Sequence, residues 1–131
     1  TEHGNLFGAI DFYKRAKGAG IKPILGCEAY VAANDRTDRT QKKSHHLVLL
    51  ATNREGWKNL QYMVSMGFVD GFYYKPRIDK ELLREFHQGL LCLSGCLAGE
   101  VATAITLPNP TVLAASKTKS SPRNAPANWR K

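Results

Sequence analysis

The chain has 131 residues, 19 Lys and Arg against 11 Asp and Glu, and a formal charge of +8. That length suits one domain around one hydrophobic core, and no apolar run is long enough to cross a bilayer. Three cysteines, an odd number, exclude a disulfide scaffold and fit a reducing cytoplasm.

The charge is unevenly placed. Residues 1–102 carry 14 basic and 11 acidic side chains, whereas residues 103–131 carry five basic ones and none acidic. The basic balance therefore says little about nucleic acid on its own. No leader is visible, and residue 1 is a Thr inside a motif, so the sequence reads as an internal fragment.

In chain order, residues 5–17 predict a helix capped by Asn5, with Leu6, Ile10 and Tyr13 on one face and Gly18 and Gly20 ending it. Ile21–Ala33 reads as extended, with Pro23 near its start. Residues 34–44 are polar and read as a solvated loop. His46–Thr52 has the pattern of a buried strand. Asn53 then caps a helix to about Met66, with Trp57, Leu60 and Val64 on one face. Gly67–Pro76 reads as a loop rich in glycine and aromatics.

Asp79 caps a short helix, Lys80–Phe86. Leu90–Ser94 is another apolar strand, and Cys27 and Cys92 inside apolar strands read as small buried hydrophobes. Leu97–Ile105 starts a further helix. Alternation of strands and helices predicts an α/β fold with a mostly parallel sheet or barrel. After about residue 102 the composition turns to Pro, Ser, Asn, Ala and Lys, which predicts a domain over 1–102 and an unstructured tail over 103–131.

Four residues could carry chemistry: His3, Glu28, His46 and Cys96. Imidazole, carboxylate and thiolate are ligands for Zn²⁺ or Mn²⁺. Taken singly, each has a bland reading: a surface His, a solvated Glu, a packing Cys. Glu28, Cys96 and His3 sit where strands end and loops begin, the face on which α/β barrels place their chemistry. His46 begins its strand instead. An antiparallel hairpin of Glu28–Ala33 with His46–Leu50 brings it back beside Glu28. His45 and His87 read as exposed neighbours.

The phrases T-E-H-G-N-L-F-G-A-I-D-F-Y, I-K-P-I-L-G-C-E-A-Y-V-A, H-H-L-V-L-L-A-T-N, G-F-Y-Y-K-P-R-I-D and L-C-L-S-G-C-L-A-G-E resemble the N-terminal PHP (polymerase and histidinol phosphatase) domain of bacterial DNA polymerase III α subunits, over residues 1 to about 102. The resemblance implies a partial PHP-type distorted (β/α)7 barrel with two or three metal ions at its mouth. His3, Glu28, His46 and Cys96 match family ligands, with Zn²⁺ or Mn²⁺ as metal; Glu2 stands where Asp is usual. Further ligands would lie upstream of Thr1 and downstream, and the Mg²⁺-binding polymerase carboxylates are absent. It also implies an intact parent that is a cytoplasmic DNA-directed DNA polymerase, with DNA and other replicase subunits as partners and no membrane. The domain would serve as a 3′–5′ exonuclease or phosphoesterase, or as a dock for a proofreading subunit. A stand-alone PHP phosphoesterase is the alternative, and the fragment alone is expected to be inactive.

Overall fold

Strand β2 (Gly26–Ala32) runs through the middle of one sheet and organises the chain. The computed structural model describes residues 1–106, so the tail expected over 103–131 lies largely outside the described residues. The other elements are β1 (Glu2–His3), α1 (Ala9–Gly18), β3 (Ser44–Ala51), α2 (Arg54–Val69), β4 (Phe72–Tyr73), β5 (Lys75–Ile78), α3 (Lys80–Phe86), β6 (Leu90–Leu93) and α4 (Glu100–Thr106). Strand order is β4-β5-β2-β3-β6, with β1 also paired to β2. β1 covers Cys27–Glu28 and β5 covers Tyr30–Val31, end to end along the edge of β2 that β3 leaves free.

The fold is mixed α/β, but the sheet is not mostly parallel. β1 and β5 run parallel to β2, whereas β3 is antiparallel to β2, β6 to β3 and β4 to β5. The segment between β2 and β3 contains no helix, and neighbouring strands without a crossover must run antiparallel. The stretch 67–76 is likewise no simple loop. It holds the end of α2 and the β4–β5 hairpin, turned at Tyr74 with φ 60°.

Period-two alternation divides the sheet into two faces. Cys27, Ala29 and Val31 point into a core with Leu49, Leu60, Met63, Ile78 and Leu82, so α2 and α3 cover that face. Asn53 and Asp79 cap these helices as their sequences predict, accepting from the Gly56 and Leu82 amides. Glu28, Tyr30, His46 and Val48 lie on the other face. β6 is the edge strand, so Leu91 and Leu93 stay half exposed and Cys92 is exposed, not buried.

α1 begins at Ala9, later than predicted, and Gly8 rather than Asn5 holds the cap position. The Asn5 amide instead closes a local turn, donating to the His3 carbonyl and accepting from the Phe7 amide. The Glu2 carboxylate accepts from the Gly8 amide at 3.0 Å, a favourable place for negative charge. Ala9 and Ala16 face inward, and Ile10 and Tyr13 are exposed. The helix approaches the sheet on its small residues, which the apolar spacing does not reveal.

The polar stretch after β2 is also not freely solvated. Arg77, only 2% exposed, donates from Nε to the Gly71 carbonyl (3.2 Å), from Nη1 to Gln41 (3.0 Å), and from Nη2 to Arg36 (3.0 Å) and Asp38 (2.8 Å). Arg36 in turn reaches Asp79 at 2.9 Å, the same carboxylate that caps α3. Two arginines therefore fasten this loop to the sheet edge.

Arg77→Met strips four carbonyls of a charged donor and is expected to cost about 3 kcal/mol or more in urea unfolding. A loss below about 1 kcal/mol would show the clamp to be dispensable.

Candidate metal centre

The β2–β3 register sets Tyr30 opposite His46 and Glu28 opposite Val48. Glu28 and His46 thus share a face as diagonal cross-strand neighbours, close enough for side chains to meet. His46 Nδ1 donates to Glu28 Oε1 at 2.7 Å, with both side chains about one-fifth exposed. Glu28 does not end its strand as its sequence suggests but is the third residue of β2, and His46 is the third of β3. The antiparallel pairing places His46 opposite Tyr30 and so diagonal to Glu28.

Cys96 follows the edge strand β6 in the turn 94–99, which folds back over His46. Its Sγ lies 3.6 Å from His46 Nδ1 and accepts from the Ala98 amide at 3.4 Å. The His46 amide donates to the Ala98 carbonyl, and the Gly99 amide to the Cys96 carbonyl. Two glycines make this approach possible. Gly95 has φ +79°, and a Cβ there would meet the His46 carbonyl oxygen at 2.8 Å; a Cβ on Gly99 would meet that of Ser94 at 2.3 Å. The motif S-G-C-L-A-G is a turn shaped to present a thiol.

Glu28, His46 and Cys96 each offer a ligand atom within 4.8 Å of the others. His3 stands beside them, opposite Glu28 in the β1–β2 register. Its Nδ1 is 3.8 Å from Glu28 Oε1 and its side chain is 65% exposed, so it borders the trio rather than joining it. His45 points to the opposite face and pairs with the Ala98 carbonyl; His87 is exposed and pairs with that of Arg84. A cavity of about 420 Å³ between α1 and the start of β2 involves none of these residues.

Tyr30 and Lys75 border the site without having been singled out in the sequence. The Tyr30 ring stands edge-on to His46 at 5.3 Å, and Lys75 Nζ lies 4.3 Å over Tyr30. Tyr30 could have been found by alternation from Glu28. Lys75 could not, because its place depends on the pairing of β5 with β2. A second acidic group, Asp35, Asp79 and Glu81, lies far from this chemistry in character: Arg36 contacts Asp79 and Glu81 and makes the cluster an internal ion network.

A family model described as PHP domain matches residues 1–125. Over 117 residues the chain is 50% identical to DNA polymerase III subunit alpha of Chlamydia pneumoniae, covering 86% of this chain and 9% of that protein. It is 54% identical over 106 residues to the same subunit of Thermus aquaticus, covering 77% and 9% respectively. Against that of Helicobacter pylori J99 it is 52% identical over 102 residues, covering 77% and 8%. The chain thus spans less than a tenth of the length of these relatives.

The three thiols differ in environment. Burial pushes Cys27 up to about 11, and desolvation also raises Cys92. Cys96 is exposed and holds a backbone donor on its sulfur. Because a raised pKa leaves a thiol protonated and unreactive at pH 8, iodoacetamide should label Cys96 first, Cys92 more slowly and Cys27 only after unfolding. Peptide mass spectrometry over time checks the order; labelling of Cys27 in the folded chain would contradict it.

Proposed function

This chain belongs to the PHP domain family, and from that premise we propose that Glu28, His46 and Cys96, with His3 at their border, hold Zn²⁺ or Mn²⁺ for phosphoester hydrolysis. The observation that carries the reading is the donor set itself. A carboxylate, an imidazole and a thiol from three separate segments converge on one half-buried face, where ordinary packing would favour apolar side chains. A divalent ion bound there supplies a polarised water and a counter-charge for phosphoryl oxygens.

The chain's own residues prepare the place. Glu28 and His46 hold each other in place by a hydrogen bond, and both would serve as ligands to a divalent ion. Tyr30 packs against the His46 ring and fixes its orientation, the supporting role that partners around a metal commonly play. The Ala98 amide directs its hydrogen at Cys96 Sγ and holds the sulfur beside His46 Nδ1. His3, largely exposed, stands on the open side, where a ligand or substrate oxygen can arrive.

The barrel is part of the same proposal. Helices cover one sheet face and the metal candidates lie on the other, as expected if that face lines a distorted (β/α)7 barrel completed by further strands. The proposed parent is a DNA polymerase III α subunit of the cytoplasm, extending primers with Mg²⁺ at a separate site and working with DNA and other replicase subunits. Half-identity to several such subunits favours this over a stand-alone phosphoesterase. Among the described residues, no helix is long and apolar enough to cross a membrane.

Calorimetric titration of the 131-residue chain with Zn²⁺ and Mn²⁺ is the test. Binding is expected, and Glu28→Gln, His46→Gln and Cys96→Ser should each weaken it at least about tenfold. No metal uptake, or uptake indifferent to all three substitutions, would leave the domain a docking module rather than a hydrolytic one.

A further inference from the structure

The β4–β5 hairpin carries Lys75 on the same side as the metal candidates. Arg77 pairs with Tyr30, so alternation places Lys75, two residues earlier, on the face of Glu28, Tyr30 and His46. Its ammonium lies 4.3 Å over the Tyr30 ring, which itself touches His46. One aromatic ring therefore separates a cation from the proposed metal centre. At the hairpin tip Tyr74 is 65% exposed, with its ring face against Lys42 Nζ at 4.1 Å.

Two features distinguish these groups from an ordinary basic surface. Arg36 and Arg77 are occupied by internal partners, whereas Lys42 and Lys75 make no ion pair among the described residues. Tyr74 is also the one non-glycine residue with positive φ among them. Hairpin tips with positive φ ordinarily take Gly, Asn or Asp, and a bulky residue held there is strained. Strain of this kind concentrates where a side chain is kept for binding.

We infer that Lys75, Tyr74 and Lys42 form a track for single-stranded DNA leading to the metal centre. Lys75 takes the phosphate nearest Glu28, His46 and Cys96. Tyr74 stacks on an adjoining base, and Lys42, displaced from the ring, takes the next phosphate. The exchange is favourable because an exposed lysine–tyrosine contact is weaker than base stacking on tyrosine. The inference rests on the metal-centre reading for the direction of the track, but the track itself binds without metal.

Fluorescence anisotropy of the 131-residue chain with a labelled short oligothymidylate in EDTA tests it independently of metal. Tyr74→Ala should weaken binding about tenfold, and Lys42→Met and Lys75→Met about threefold or more, each lysine change also making the salt dependence shallower by about 0.7 in log–log slope. Tyr74→Gly relieves the strained backbone, so it should bind as poorly as Tyr74→Ala while keeping or raising the melting temperature. Wild-type binding in the Tyr74 and Lys42 variants would overturn the track, even if Lys75→Met weakened binding of a small phosphate. Loss of Zn²⁺ binding with an intact track would instead remove only the metal-centre reading.

Discussion

The antiparallel register between β2 and β3 is the constraint on which the rest depends. With Tyr30 opposite His46, the carboxylate of Glu28 and the imidazole of His46 meet at 2.7 Å. A slip of one residue would turn His46 into the core face and bring His45 out, because side chains alternate along a strand. The register is held from both ends. On one side Leu49 joins Cys27, Ala29 and Val31 in the core; on the other, Arg77 grips the carbonyls of the loop that connects the strands. A buried guanidinium that satisfies itself on backbone oxygens fixes loop geometry while needing no particular neighbouring side chains.

The two faces of β2 separate stability from chemistry. Its core side chains are small (Cys27, Ala29, Val31), which lets α2 bring Leu60 and Met63 close enough to be fully buried. The opposite face carries groups that burial alone would disfavour: a carboxylate and an imidazole only partly exposed. Their mutual hydrogen bond compensates for that desolvation. The S-G-C-L-A-G turn adds a third donor through backbone contacts to His46, so the thiol is placed by main chain and not by side-chain packing.

Much of this was legible in the sequence where a local signal exists. Asn53 and Asp79 announce helices α2 and α3 because a capping carboxamide or carboxylate acts within three residues. The four metal candidates were legible as residue types and as a family pattern, and the structure draws Glu28, His46 and Cys96 together with His3 alongside. Strand direction was not legible, because a polar stretch such as 34–44 does not say whether it crosses over or turns back. Nor was the hold of Arg77 on that stretch, since its acceptors are carbonyls, which no side-chain pattern records. Cys92 misled because an apolar run looks the same in an edge strand as in a central one. Ile10 and Tyr13 misled because helix α1 meets the sheet through Ala9 and Ala16, so its apolar spacing marks the outer surface.

X-ray absorption at the zinc edge of the zinc-loaded chain tests the central claim most directly, because it reports which atoms reach the ion. Convergence of Glu28, His46 and Cys96 predicts one sulfur scatterer at about 2.3 Å together with nitrogen and oxygen near 2.0–2.2 Å, and loss of the sulfur in Cys96→Ser. A zinc shell of oxygen and nitrogen alone, unchanged by that substitution, would contradict it.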